Sequence, residues 1–486
     1  MGNTSYGRGY REKEGCSAMR KPTSLLVMLI RLLVMALCAL ALMGLFSIYN
    51  PQLLVLSRTS VIVLLSFAIV YILMCSVYGG FEIGIRKSRS IIATMSLVVL
   101  FSDLVAHLFL CIMNYTIIHQ EHFVYEHPWL LLTVFAVQIG ILTGMAYLGN
   151  GVYFTINKPQ RCLVIAKQGD DCADWVTKIA RYKKQYAIEQ IAYLGDDGLL
   201  SKIDAADTVF IYDLSESERA WLVEYCYQQR KDIYYSMELS DVVTYSGKQI
   251  YFDDATVLYA AAEKISPEEQ VLKRIVDILM AVIFLTVASP VLLITAAAIK
   301  LEDGGDVFYR QKRATIDGRE FSIVKFRSMR PEVGGIHRSV TSDDDRITKV
   351  GRLIRKYRID ELPQFFNVIR GDMSIVGPRP EMLENIEKYT EELPQFSYRL
   401  RAKAGLTGLA QVYGRYNTSP KDKMILDLIY IENFSVWLDI KIFLRTVLVL
   451  FTPEKSTEAF KAESIADEPL PNDALRGVDN EGGTAL

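Results

Sequence analysis

Along the first 150 residues the chain alternates long apolar stretches, 25–49, 61–79, 91–118 and 129–149, with short polar loops. Each approaches the roughly 20 residues that a helix needs to cross a bilayer. A signal peptide would be one short apolar run with a small-residue cleavage site, so the four closely spaced runs predict a transmembrane four-helix anchor over 25–150 behind a polar tail, 1–24. Loop charge orients the anchor. Arg8, Arg11, Lys13, Arg20 and Lys21 precede it, Arg86, Lys87 and Arg89 fill the second loop, and Lys158, Arg161 and Lys167 follow it. Residues 119–127 carry no Lys or Arg, and the first loop has only Arg58. The positive-inside rule then places both ends on the cytoplasmic face. Asp103 and His107 share one face of the third stretch, marking either a functional site or a helix–helix hydrogen bond.

From 161 to 265 the period changes. Cys162–Ala166, Ile188–Leu194 and Thr208–Tyr212 read as strands and 173–186 as a helix, which predicts a small Rossmann-like α/β domain. Its first turn, Lys167-Gln-Gly-Asp-Asp-Cys172, lacks GxGxxG and places two carboxylates where a phosphate would sit. A regulatory or dimerising module fits it better than a dinucleotide site. A further apolar stretch, 275–299, follows Lys273-Arg274 and ends at Lys300, with Asp277 and Ser289-Pro290 inside. Hydropathy alone predicts a fifth spanning helix. Basic residues at both ends and a central breaker predict a re-entrant hairpin that enters and leaves on one face, with Ser289 helping to satisfy the carbonyl that Pro290 frees.

Val307–Arg313 and Glu320–Arg327 flank Asp317-Gly318, a hairpin signal that puts Lys325 and Arg327 on one strand face. The acidic run 343–345 precedes a helical stretch, 346–358, on which Arg352, Arg355 and Lys356 share a face. The glycines of 403–415 permit close backbone approach to a ligand. Residues 426–445 read as a core or interfacial helix, with the interface favoured, and the polar tail 453–486 is expected to be disordered.

Composition narrows the chemistry. The 54 basic and 56 acidic residues leave a net charge of −2, so no global field recruits nucleic acid. None of the seven cysteines forms a CxxC and none follows Cys226, which excludes a zinc or disulfide framework in the second half. His337 is the one histidine there, so carboxylates must carry any nucleophile or base role. Asp360 and Glu361, in Arg355-Lys-Tyr-Arg-Ile-Asp-Glu-Leu-Pro-Gln364, could simply cap a helix. The cations and glycines around them suit phosphate chemistry instead.

The segment 271–452 resembles the catalytic domain of the bacterial sugar transferases, the polyprenyl-phosphate hexose-1-phosphate transferases or large monotopic phosphoglycosyl transferases. The resemblance is carried by Ser289-Pro290, Lys325-Phe-Arg-Ser-Met329, Asp360-Glu-Leu-Pro-Gln364, Asn367, Gly371-Asp-Met-Ser374, Gly377-Pro-Arg-Pro-Glu381, Gly405-Leu-Thr-Gly408 and Ala410-Gln-Val412. It implies a multi-domain protein of the bacterial inner membrane: a four-helix bundle, a degenerate α/β domain, then a mainly helical monotopic catalytic domain on the cytoplasmic face. It implies transfer of a hexose-1-phosphate, glucose or galactose, from a UDP-sugar to undecaprenyl phosphate with release of UMP, at the start of capsule, O-antigen or exopolysaccharide synthesis. Asp360 would be the nucleophile and a ligand of Mg²⁺, and Glu361 its helper. Lys325, Arg327 and Arg355 would hold phosphates, Pro378, Arg379 and Pro380 would line the nucleotide site, and Arg415 would contribute to binding. Related large members imply a homodimer. Arg358 and Ala404 stand where the family often has a small hydroxyl residue and a Pro. The alternatives are an inactive membrane scaffold or sensor and a glycosyltransferase that releases UDP.

Overall fold

The computed structural model describes residues 20–118, 125–168, 172–261, 265–330, 346–414 and 418–451. The tail 453–486, the acidic run 343–345, His337 and Arg415 lie outside the described residues. Two compact units divide the chain between Tyr234 and Tyr235.

The first unit begins with four helices long and apolar enough to cross a membrane, α1 (Arg20–Phe46), α2 (Arg58–Tyr78), α3 (Ser88–Ile118) and α4 (Pro128–Ile156). Many of their Leu and Ile side chains face outward, as expected of helices solvated by lipid, and polar groups tie them together inside. Asp103 Oδ1 accepts from Gln138 Nε2 at 3.0 Å, which also donates to the Cys38 carbonyl at 3.1 Å. His107 Nε2 lies 2.7 Å from the Glu126 carbonyl. Asp103 thus makes a helix–helix hydrogen bond to α4, while His107 bonds the loop that precedes α4.

Four strands follow, β1 (Gln160–Ala166), β2 (Tyr186–Tyr193), β3 (Thr208–Ile211) and β4 (Asp232–Tyr235), in the order β2-β1-β3-β4. β1 runs parallel to both neighbours, and α5 (Ala173–Ala180), α6 (Leu199–Ala205) and α7 (Glu216–Gln228) connect them. Expected as 161–265, this domain ends at about residue 235. The difference has a packing cause: in α8 (Leu239–Ser246) Val242 is buried in the core of the second unit, and Glu238 pairs with Lys421 at 2.7 Å. The hairpin β5–β6 (Lys248–Phe252, Ala255–Tyr259) is also part of that unit.

The second unit is built on α9 (Pro267–Asp303), a 37-residue helix about 55 Å long at 1.5 Å per residue. Its N-terminus is a capping box between Ser266 and Glu269. Helical assignment is continuous through Pro290, where two helices were expected to meet. Pro290 cannot bond the Thr286 carbonyl, and Ser289 Oγ donates to that oxygen at 2.8 Å, so the freed acceptor is satisfied within the helix. The middle of α9 leaves Val287, Leu293 and Ile294 more than two-thirds exposed, and both its ends are fastened to the same unit. Asp277 accepts from Ser374 Oγ and the Ile375 N–H, while Glu302 caps the Lys349 N–H at 2.7 Å.

The hairpin β7–β8 (Phe308–Ala314, Glu320–Phe326) turns through Asp317 and Gly318, both left-handed. Then come α10 (Lys349–Lys356), a 3₁₀ turn Ile359–Glu361, α11 (Gln364–Arg370), β9 (Ser374–Val376), α12 (Leu383–Glu392), β10 (Gly405–Thr407), α13 (Leu409–Tyr413), α14 (Pro420–Glu432) and α15 (Val436–Phe451). Phe365, Met373, Ile375, Phe396, Met424, Leu428 and Ile442 form part of the core. The stretch read as one interfacial helix over 426–445 is two helices. The first is a core element, because Met424, Ile425, Leu428, Tyr430 and Ile431 are all buried.

Asn367, 1% exposed, acts as a third strand for β8: its Oδ1 accepts from the Val324 N–H at 3.0 Å and its Nδ2 donates to the Ser322 carbonyl at 2.8 Å. Asn367→Leu would leave both backbone groups unpaired at about 1–3 kcal/mol each. Thermal unfolding in detergent is expected to drop by several degrees, with Asn367→Asp, which keeps the acceptor alone, falling between.

Candidate active site

Three segments meet at the Asp360–Glu361 pair. After α10 the chain passes through Arg358 at φ 54°, a left-handed conformation that costs a non-glycine residue about 1–3 kcal/mol and turns the chain into the 3₁₀ turn. β8 brings Lys325, and the loop after β9 brings Arg379.

Glu361 gathers the cations. Lys325 Nζ lies 3.0 Å from Oε1, Arg379 Nη2 3.5 Å from Oε1 and Arg358 Nη1 3.7 Å from Oε2. Burial alone would raise its pKa, but Lys325, Arg379 and Arg358 outweigh that and hold it well below the usual carboxylate range. Asp360 forms no ion pair with any described residue. Burial first, and the Glu361 charge second, push its pKa up to about 6, against the opposing pull of Lys325 and Arg355. Arg355 adds an unspent donor, since its Nη1 is buried with no hydrogen-bond partner among the described residues. The pair therefore consists of one charge fixed by three cations and one carboxylate left free beside a spare guanidinium.

Other candidates are placed differently. The guanidinium of Arg327 is engaged by both oxygens of Asp303 and by the Asp306 carbonyl, so it fastens the end of α9 to β8 and leaves phosphate binding to others. Pro378 and Pro380 are buried on either side of exposed Arg379, and the Pro378 carbonyl accepts from the Gly405 N–H at 2.8 Å. A shallow cleft is lined by Pro378, Arg379, Glu381, Thr315 and Arg399. Gly405 and Gly408, in the loop read as permitting close approach of a ligand, instead admit the backbone of Gly377: a Cβ on Gly405 would stand 2.1 Å from the Gly377 nitrogen, and one on Gly408 2.2 Å from its carbonyl oxygen. The sequence also gave no sign of the buried Arg399–Asp427 pair, at 2.7 Å, or of Tyr430, whose hydroxyl reaches the Val376 carbonyl at 3.0 Å. Only a chemistry-bearing residue inside an apolar run, as at Asp427 and Tyr430, could have flagged them.

Residues 268–453 match the bacterial sugar transferase family. The same region is 42% identical over 194 residues to a UDP-glucose:undecaprenyl-phosphate glucose-1-phosphate transferase of Caulobacter vibrioides, covering 38% of this chain and 71% of that one. The chain belongs to the bacterial sugar transferase family. A further sugar transferase, from Bacillus subtilis, is 41% identical over 184 residues, 38% of this chain and 89% of its own. A UDP-N-acetylgalactosamine-undecaprenyl-phosphate N-acetylgalactosaminephosphotransferase of Aeromonas hydrophila is 44% identical over 191 residues, 38% of this chain and 45% of its own length. The similarity to that relative thus spans less than half of it, and lies in the unit that carries Asp360 and Glu361 in this sugar transferase.

If Asp360 reacts as a carboxylate it must be ionised, so kcat/KM is then expected to rise with pH through a limb near 6 set by Asp360. Glu361→Gln removes the like charge and releases Lys325 towards Asp360. Both changes favour the ionised form, so the limb is expected to move to lower pH in a pH–rate profile, even as the rate falls.

Proposed function

We propose that the protein is a phosphoglycosyl transferase that moves a hexose-1-phosphate from a UDP-sugar to undecaprenyl phosphate. The observation that carries the reading is the division of labour in the pair: Glu361 held by three cations, Asp360 free and beside the unpartnered Arg355 Nη1. The named reactions of the Caulobacter and Aeromonas relatives supply the substrate class.

In the proposed reaction an oxygen of Asp360 attacks the β-phosphorus of the UDP-sugar. The bond from that phosphorus to the bridging oxygen breaks, UMP leaves with the electron pair, and a sugar phosphate remains on the carboxylate. An oxygen of undecaprenyl phosphate then attacks the same phosphorus, displaces the Asp360 carboxylate and yields a polyprenyl diphosphate sugar. Arg355 and Arg379 are placed to hold phosphoryl oxygens as charge shifts onto the leaving group. Lys325 and Arg358 keep Glu361 ionised, and Glu361 orients the cations around the phosphate. Asp360, a carboxylate outside the ion pairs, would suit Mg²⁺ held jointly with substrate phosphates, the way one carboxylate plus phosphates commonly holds that ion. When bound, the ion offsets diphosphate charge.

The membrane supplies the second substrate. Lys273 and Arg274 at one end of α9 and Lys300 at the other flank its apolar middle, which supports a re-entrant helix seated from the cytoplasmic side of the inner membrane. The sugar remains glucose or galactose in this reading, and the Aeromonas relative extends the test to an N-acetylhexosamine.

The test is turnover of UDP-hexoses in nanodiscs containing undecaprenyl phosphate. UMP as product, its loss to background in Asp360→Asn, and retention of label from β-³²P UDP-sugar on wild-type protein without lipid phosphate are expected. UDP as product would assign a glycosyltransferase instead, and no turnover of any UDP-hexose would leave a scaffold. Because the folded pKa of Asp360 lies above its unfolded value, its ionisation costs stability as pH rises from about 4 to about 6. Asp360→Asn is therefore expected to melt no lower than wild type at pH 7.5, separating lost chemistry from lost fold.

A further inference from the structure

Arg379 reaches Glu361 from a loop, and a loop holds a guanidinium in place only if its own backbone is held. The loop runs from Val376 through Gly377 and Pro378 to Arg379; its first end is gripped directly by Tyr430 of α14, and its second by Arg399, which Asp427, one helical turn from Tyr430 on α14, holds in turn. At the first end the Val376 carbonyl receives the Tyr430 hydroxyl at 3.0 Å and Lys273 Nζ at 3.1 Å. The same two groups meet Asp439, Tyr430 at 2.8 Å and Lys273 at 2.6 Å, so the single hydroxyl proton of Tyr430 is shared between the Val376 carbonyl and Asp439 in a ring of four polar partners from α9, β9, α14 and α15. At the second end the Arg379 carbonyl receives Arg399 Nη2 at 2.9 Å, and Arg399 is in turn paired with Asp427 at 2.7 Å and stacked on Phe396. The side chains of Arg399 and Asp427 are 3% and 1% exposed. An ion pair that deep adds little net stability, because desolvating both charges offsets their attraction. What it does fix is direction, since a guanidinium held by a buried carboxylate can present its remaining N–H at only one angle.

We propose that Asp427 and Tyr430 are positioning residues that hold the Val376–Arg379 loop so that the Arg379 guanidinium stays against Glu361 and over the phosphate site. Spacing supports this: residues three apart share a helix face, so Tyr430, which bonds the loop directly, and Asp427, which holds the Arg399 that bonds it, act from one side of α14. The Pro378 carbonyl, bonded to the Gly405 N–H at 2.8 Å, fixes the loop between the two grips. Arg379 alone leaves this buried frame, with 42% of its side chain exposed. The catalytic consequence rests on the function proposed above; the positioning itself does not.

Two measurements on the full chain in nanodiscs test it. The first needs no turnover: the rate at which phenylglyoxal modifies Arg379, read by peptide mass spectrometry against exposed Arg352 as the internal reference. Tyr430→Phe, which removes one oxygen and leaves no cavity, is expected to speed modification of Arg379 at least threefold and leave Arg352 unchanged. Asp427→Asn is expected to do the same more strongly; should it fail to fold, Tyr430→Phe carries the test. The second is a double-mutant cycle on UMP release. Tyr430→Phe is expected to lower kcat about tenfold in the wild-type background and less than twofold in Arg379→Lys, because the residue it acts through is already impaired. A purely structural role would give the same loss in both backgrounds with a lowered melting temperature. Unchanged Arg379 modification, or equal losses in both backgrounds, overturns the proposal. Absence of UMP release by the wild type refutes the proposed reaction, and the modification rate then decides the positioning alone.

Discussion

The interaction on which the site depends is the Glu361 carboxylate shared among Lys325, Arg358 and Arg379. Each cation comes from a different segment: β8, the turn after α10 and the loop after β9. One negative charge therefore registers three pieces of backbone against each other, and each of those is braced independently. Asn367 fixes β8, the left-handed Arg358 fixes the turn, and the carbonyls of Val376 and Arg379 fix the loop. Isolated ion pairs of partly exposed side chains contribute little. Here the braces set the geometry beforehand, so the ion pairs need not supply the energy of assembly.

The same charge sets the chemistry of its neighbour. Asp360 is pushed up to about 6 by burial and by Glu361, which makes its ionised form a costly state within the fold. A carboxylate stabilised as fully as Glu361 would be a poor nucleophile, its lone pairs committed to cations. Asp360 stands outside the ring of cations while remaining within their field, which is what the nucleophile role proposed for it requires. The backbone bears a matching cost at Arg358, where a long side chain occupies a conformation suited to glycine. Stability is given up at Asp360 and at Arg358 two residues before it, a pattern found where activity and stability conflict.

What was legible in the sequence follows from the range of the forces involved. The apolar helices α1 to α4, the strands β1 to β3 and the hairpin at Asp317-Gly318 are written in local periodicity and turn chemistry, and they form close to where those signals lie. Asp360 and Glu361 stood out by their neighbours and by family resemblance. Arg327 could not be read, because its partner Asp303 lies 24 residues upstream and alternation along a strand says nothing about what occupies the other side. The glycines at 405 and 408 misled for a related reason: a need for space is visible in sequence, but whether a ligand or another backbone, here that of Gly377, fills it is not. Lys273 and Asp439, 166 residues apart, share no local pattern at all.

The arrangement of α9 ties these observations to the membrane. Four consecutive turns of its first half carry both polar grips and apolar packing. Arg274 bonds the carbonyls of Val368 and Ile369 at 2.6 and 2.8 Å, capping the C-terminus of α11, while Asp277 pins the start of β9. Phe284 stacks on Phe365 at 5.5 Å. The helix that leads from the pair towards Asn367 and the strand that leads to Arg379 are thus both anchored on the same face of one long apolar helix. At its far end Glu302 and Asp303 hold α10 and Arg327. Displacing α9 would therefore disturb every segment that converges on Glu361. The reaction proposed above draws one substrate from water and the other from lipid, which calls for the Asp360 carboxylate at a constant depth, and building the segments around the pair directly onto the apolar helix would supply that constraint.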